Sequence, residues 1–255
     1  MTKTENQFTS LITDALSIPF SGWDFTFLSD RWKTNDPTWD YPALARNRMQ
    51  GITSMLDQDT GGGELLSSLT PFPAHTWASE NCTPNVPVAK HRLEPLGVQV
   101  ISDDSISSIP LPDSSLDLIL NRHGGYGEEE LLRLLRPDGI FLTQQVGGQN
   151  CGRLNELLQD KVDFKYSYWT KDLITRKLIE AGFELLDVRE EFPPAEFSDI
   201  GVVVSYLRII SWQVDDFSAD KYRDKLLAIH KDILRYGPLQ VREHRILVEA
   251  KRPGI

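Results

Sequence analysis

The stretch MLDQDTGGGELL, residues 55–66, decides the fold. An apolar run ends at Asp57, passes through a glycine-rich turn and opens a helix at Glu64. Glycines at 61, 62 and 63 let the backbone turn sharply and approach a ligand closely, and the start of a helix offers unpaired N–H groups. A tight strand-to-helix turn alone would account for the glycines. The next β-rich run supplies a second sign, because it ends at Glu80, 23 residues after Asp57. A doubly wound fold sets there the carboxylate that accepts hydrogen bonds from ribose hydroxyls.

Outward from this pair, short β-rich runs alternate with helical patterns, which requires a mostly parallel sheet whose crossovers are covered by helices. The predicted strands are ITSML (52–56), AHTWAS (74–79), VQVIS (98–102), LDLILN (116–121), IFLTQQV (140–146), FELLDVRE (183–190) and HRILVEAK (244–251). Helices are predicted in GELLSSL, PNVPVAKHRLEPL and EEELLRLLRP; in the last, leucines 131, 132, 134 and 135 form one stripe before Pro137 and Gly139. Residues 1–50 hold the amphipathic run FTSLITDAL and an aromatic stretch with Trp23, Phe25, Phe27, Trp32, Trp39 and Tyr41. Residues 193–238 read as an insert of two helices, FSDIGVVVSYLRIISW and SADKYRDKLLAIHKDILRYG. With no internal repeat or low-complexity linker, the expectation is one domain over 1–255: a cap segment at 1–50, an α/β core at 51–192 and 239–255, and the insert between.

Composition narrows the function. Lys and Arg total 27 against 37 Asp and Glu, a formal net charge of −10, which repels a phosphate-rich surface and makes nucleic acid an unfavoured partner. Cys82 and Cys151 sit in no CxxC or metal-ligand spacing, and His75, His91, His230 and His244 lack HxxxH, HxH or HExxH spacing, so no metal is predicted. MTKTENQFTS lacks the order of a signal peptide and no apolar run approaches the ~20 residues that span a bilayer, so a cytoplasmic location without membrane contact is expected. The oligomeric state has no signature.

The order of strand, acidic residue, glycine turn, acidic second strand, IPLPDSSLDLILNRH and LLRLLRPDGIFLTQQVGG resembles the class I S-adenosylmethionine-dependent methyltransferases over roughly residues 50–190 plus the last strand. The resemblance implies a Rossmann-like, doubly wound, seven-stranded sheet, mostly parallel, with the last strand inserted antiparallel between the fifth and sixth. It also implies S-adenosyl-L-methionine as cofactor. The family's acidic residue and GxGxG correspond to Asp57, Gly61 and Gly63, with Asp59 in place of the first glycine and Thr60 in the same turn. Glu80 and Asn81 correspond to the ribose-binding pair, Asp103 or Asp104 to the adenine-contacting acid, and Asn121, Arg122 and His123 to the strand end that faces the transferred methyl group. His123 is then the candidate general base. Trp23, Phe25, Arg122, Tyr126 and Tyr206 are the candidate walls of a substrate pocket. The expected reaction is methyl transfer to a small molecule; the alternatives are a cofactor-binding regulatory module in which Asp59 impairs cofactor use, and an rRNA or tRNA methyltransferase.

Overall fold

The computed structural model describes residues 2–19, 28, 30–102 and 108–254. The first half of the chain runs α1 (Lys3–Ser17), β1 (Trp32–Thr34), α2 (Tyr41–Arg48), β2 (Ser54–Gln58), α3 (Glu64–Ser67), β3 (His75–Glu80), α4 (Val86–Leu93), β4 (Gln99–Ser102) and β5 (Leu116–Arg122). It continues with α5 (Glu128–Leu134), β6 (Leu135–Val146), α6 (Arg153–Leu158), α7 (Lys171–Ala181), β7 (Glu184–Glu191), β8 (Pro194–Phe197), α8 (Ile200–Ile209), α9 (Arg223–Tyr236), β9 (Leu239–Arg242) and β10 (Arg245–Lys251). These elements gather into two compact units.

The larger unit comprises Thr38–Val146, Trp169–Glu191 and the described residues of Arg245–Ile255. Its sheet has the order β4-β3-β2-β5-β6-β10-β7. β2 through β6 pair in parallel, and β10 is antiparallel to both β6 and β7. The seven strands and the inserted antiparallel strand are those the sequence implies. Both faces are covered, so β2 is buried at all five positions, as expected for an inner parallel strand. Successive residues point to opposite faces. Met55, Ala78, Leu118, Leu120 and Leu142 pack with Ala45 of α2, Leu66 of α3 and Leu93 of α4. Leu56, Ile119, Phe141 and Val248 pack instead with Leu131 of α5 and Ile174 and Leu178 of α7. Each of these side chains larger than alanine contributes about 1.5–3 kcal/mol relative to an exposed one. Thr170 caps α7 by accepting from Leu173 N, and Gly182 ends it with a left-handed φ of 104°.

The smaller unit comprises the described residues of Met1–Pro37 with Gly147–Tyr168 and Phe192–His244. Its core joins Phe8 and Ile12 of α1, Leu154 of α6, Val203 and Leu207 of α8 and Leu226 and Ile233 of α9 to a small antiparallel sheet of order β1-β8-β9. The apolar run IGVVVSYL is buried along almost its whole length, which explains why α8 is too hydrophobic for a solvated helix. Asp199 caps it through Gly201 N and Val202 N and pairs with Arg31. α8 and α9 are the two helices predicted for the insert. The three short strands were not predicted, and the partition also differs: residues 147–168 and β9 gather with the smaller unit, and residues 38–50 with the sheet.

Candidate functional site

In the sheet order, β2 and β5 are neighbours whose onward connections diverge, to β3 on one side and β6 on the other. Open α/β sheets bind ligands in the crevice beyond the strand ends at such a point. The turn of MLDQDTGGGELL leaves β2 at this point. Asp57, at the end of β2, is 4% exposed and accepts the Thr60 hydroxyl proton at 2.6 Å. Desolvation, reinforced by the charges of Asp59 and Glu80 against the relief of Thr60 and Arg122, pushes its carboxyl up to about 7. Thr60 N donates to Ser79 O at 2.9 Å and Gly63 N to Thr60 O at 3.1 Å, tying the turn to β3 and closing it.

Two glycines of the turn are needed for their backbone. Gly61 and Gly63 have φ of 64° and 79°, and a Cβ on Gly63 would come within 2.7 Å of the Leu93 side chain. The helix that follows is only four residues long, shorter than the predicted GELLSSL, so its dipole is weak.

Glu80 closes β3. The register pairs Asp57 with Ala78, so Glu80 projects two residues beyond it along the neighbouring strand. It is 3% exposed, and its Oε1 accepts Cys82 N–H at 2.7 Å, which fixes the carboxylate plane. Burial raises its pKa, and Asp59 adds to the rise.

Asp59 takes a left-handed φ of 56°, where glycine is at home and Asp is among the few side chains tolerated. Its Oδ2 accepts Gly125 N–H at 2.9 Å and its Oδ1 accepts Asn81 Nδ2 at 3.4 Å. The loop after β5 passes so close that a Cβ on Gly124 would lie 2.4 Å from Asp59 Cβ. The side chain therefore bridges the crevice from the β2 turn to the β5 loop.

Asn121, expected to touch a cofactor, is 0% exposed. Its Oδ1 accepts Thr143 Oγ1 (3.0 Å) and Gln145 Nε2 (2.7 Å), and its Nδ2 donates to Gln58 O and Gly125 O, both at 3.3 Å. Its part is to knot the ends of β2, β5 and β6 together, and it presents no surface to a ligand.

His123 follows β5 with a left-handed φ of 65° and is solvent-accessible though surrounded by protein. Its Nε2 lies 3.0 Å from Gln144 Nε2, while Gln144 Oε1 accepts the indole N–H of Trp39 at 2.7 Å. An indole only donates, so the Gln144 oxygen is committed to Trp39 and its amide N–H donates to His123. That makes Nε2 the acceptor and leaves the imidazole proton on Nδ1. Desolvation, then the positive charges of Arg245 and Arg122, hold the ring well below its usual pKa, so it is neutral at pH 7. Gln144 was not singled out from the sequence, and Trp39 was named only within the aromatic stretch. A run of buried glutamines in an inner strand, Gln144 and Gln145, was the signal.

Of the other candidates, Arg122 is exposed at the end of β5. Tyr126 is buried against Phe141 and Trp169 with its hydroxyl unpartnered. Tyr206 lies in the core of the smaller unit against Trp32 and Phe197, accepting from Asn150 Nδ2 at 3.2 Å. Burial leaves neither tyrosine as an open wall. Trp23, Phe25, Asp103 and Asp104 lie outside the described residues. Among the described residues no group of three or more His, Cys, Asp or Glu is arranged to hold a metal, and no helix is long and apolar enough to cross a membrane.

No family model matches the chain, and no curated protein matches it. Solved structures do. A protein of Bacillus halodurans C-125 that bears a provisional methyltransferase name is similar over 84% of this chain and 99% of its own, at 19% identity and a TM-score of 0.59. A SAM-dependent methyltransferase of Aquifex aeolicus is similar over 99% of this chain and 100% of its own, at 15% identity and a TM-score of 0.51. The cyclase SpnF is similar over 97% and 93%, at 17% identity and a TM-score of 0.53. At these identities the likeness establishes the fold, which is that of the class I methyltransferases; the cyclase illustrates that this fold carries other chemistry.

Proposed function

We propose that this chain is an S-adenosylmethionine-dependent methyltransferase of the cytoplasm with a small-molecule acceptor. The observation that carries the reading is the pair of buried carboxylates, Asp57 and Glu80, on adjacent parallel strands at the switch point, joined by a glycine turn stitched to β3. Glu80, held by Cys82 N–H, suits the two hydroxyls of a ribose; the turn from Asp59 to Gly63 suits the close passage of the cofactor's backbone. When bound, the cofactor supplies a methyl group already activated on a sulfonium. The chain's work is then to bind, orient and exclude water.

His123 acts here as a donor. With Nε2 occupied by Gln144, its Nδ1–H is the group to orient an acceptor at the end of β5, and proton abstraction by this ring is not part of the proposal. The formal charge of −10 favours a small acceptor over rRNA or tRNA. A second reading, binding of the cofactor without transfer, is favoured by Asp59, which stands across the crevice.

Calorimetry with S-adenosylmethionine tests the assignment. Glu80→Ala should weaken binding by about 1.5–3 kcal/mol, the worth of a charged hydrogen-bond partner. Unchanged affinity in that variant would overturn the ribose assignment. Mass spectrometry of small acceptors incubated with cofactor and protein reads transfer itself.

A further inference from the structure

We infer that Asp59 makes this crevice selective for a nucleoside sulfonium whose tail is cationic and bears no carboxylate, in preference to the amino-acid tail of S-adenosylmethionine. The inference rests on the reading of the site given above.

At the switch point the β2 turn and the β5 loop come together, and the Asp59 side chain links them. The Gly125 N–H, a main-chain donor at the crevice mouth, is already satisfied by an internal carboxylate at 2.9 Å. The side-chain amide of Asn81, the other donor at that point, is turned to the same carboxylate. An incoming carboxylate would have to displace Asp59 to reach either donor, and would then lie beside its charge. Displacement is resisted on two sides. The backbone of Asp59 is set in the left-handed turn, and Gly124 packs against its Cβ so closely that no side chain fits between.

A cation meets the opposite situation. Asp59, Asp57 and Glu80 gather negative charge at three successive points along the ends of β2 and β3, close enough that Asp59 perturbs both of the others. The strand end thus presents several carboxylate acceptors while the two donors beside Asp59, Gly125 N–H and the Asn81 amide, are already engaged, and an ammonium at the tip of a short tail complements it. Arg122, exposed at the end of β5, is the competing feature, since it would receive a carboxylate if the tail reached it.

Calorimetry at pH 7.5 with three ligands separates these cases: S-adenosylmethionine, its decarboxylated form, and methylthioadenosine, which has neither tail charge nor sulfonium. The intact protein should bind the decarboxylated form at least ~10-fold more tightly than S-adenosylmethionine, about the effect of one charge-assisted contact. Asp59→Asn, which keeps the shape and the tolerance for a left-handed backbone, should shrink that ratio several-fold. Asp59→Gly, which relieves the backbone, should abolish or invert it. Equal or tighter binding of S-adenosylmethionine by the intact protein overturns the inference, and so does a ratio unchanged in Asp59→Asn. If methylthioadenosine binds in a Glu80-dependent way while the preference is absent, the inference alone fails. If none of the three ligands binds, the cofactor assignment fails and the inference with it.

Discussion

Asp57 provides a test of the site that needs no ligand. In the folded chain its carboxyl keeps its proton up to about pH 7, because it is 4% exposed and faces Asp59 and Glu80. In the unfolded chain it gives the proton up near the ordinary value of 3.8. Between these two values the unfolded state holds fewer protons than the folded state, so stability falls as pH rises through this window and levels off above it. A shift of about three units corresponds to about 4 kcal/mol at full ionisation. Asp57→Asn has nearly the same shape and can still accept the Thr60 hydroxyl, but carries no charge at any pH. The variant should match the parent near pH 4 and exceed it at pH 8, by an amount approaching 4 kcal/mol. Urea unfolding of both proteins at pH 4.5, 6 and 8 measures the difference directly, with other titrating groups cancelling in the comparison. A difference that stays constant over this range, or a variant less stable than the parent at pH 8, would refute the claim that burial and neighbouring carboxylates strain this site.

Three further outcomes follow from the sheet unit. Desolvation would raise the Asp117 pKa, but its hydrogen bonds from Thr53 and Ser54 and its pairing with Arg136 outweigh it and hold the carboxyl at about 2. Asp117→Asn should therefore cost about 2 kcal/mol at pH 7, a deficit that fades as pH falls from 4 towards 2 in thermal melts. Gly63→Ala should lose about 1–3 kcal/mol in urea unfolding, since it sets a side chain at φ 79° against Leu93; an unchanged midpoint would mean the turn relaxes freely. For His123, nitrogen NMR should report a neutral ring protonated on Nδ1 at pH 6, and a ring titrating at its ordinary value would contradict the Trp39–Gln144–His123 chain.

The large sheet was readable because each of its strands is an apolar run bounded by turn residues, and such periodicity is a local property. The second sheet was not. β1, β8 and β9 are three or four residues long, β8 begins with a proline, and they pair across as many as 165 positions (Trp32 with Phe197), so nothing near any of them announces a partner. In the site, Asp57, the glycines and Glu80 lie where the spacing set them. The direction of the Asp59 side chain was hidden, because it depends on a left-handed backbone and on a loop 66 residues away. The tautomer of His123 was hidden for the same reason: it follows from a glutamine 21 residues on, itself oriented by a tryptophan 105 residues before it.

The antiparallel strand β10 has a consequence for the chain during its synthesis. β10 joins β6 to β7 along its whole length, from Arg245 against Val146 and Glu191 to Lys251 against Ile140 and Glu184, yet it is made after both. At ~5–20 residues per second, a ribosome that has just finished β7 needs roughly 3–10 s to deliver residue 245. Through that interval β6 shows a bare edge beside residues destined for the interior, Phe141 and Leu142, and β7 has no neighbour. Bare edges of this kind recruit strands from other chains. The nascent protein is therefore most open to mispairing, and to capture by a holding chaperone, between the completion of β7 and the delivery of β10, and a chain cut before residue 245 would lack the strand that joins β6 to β7.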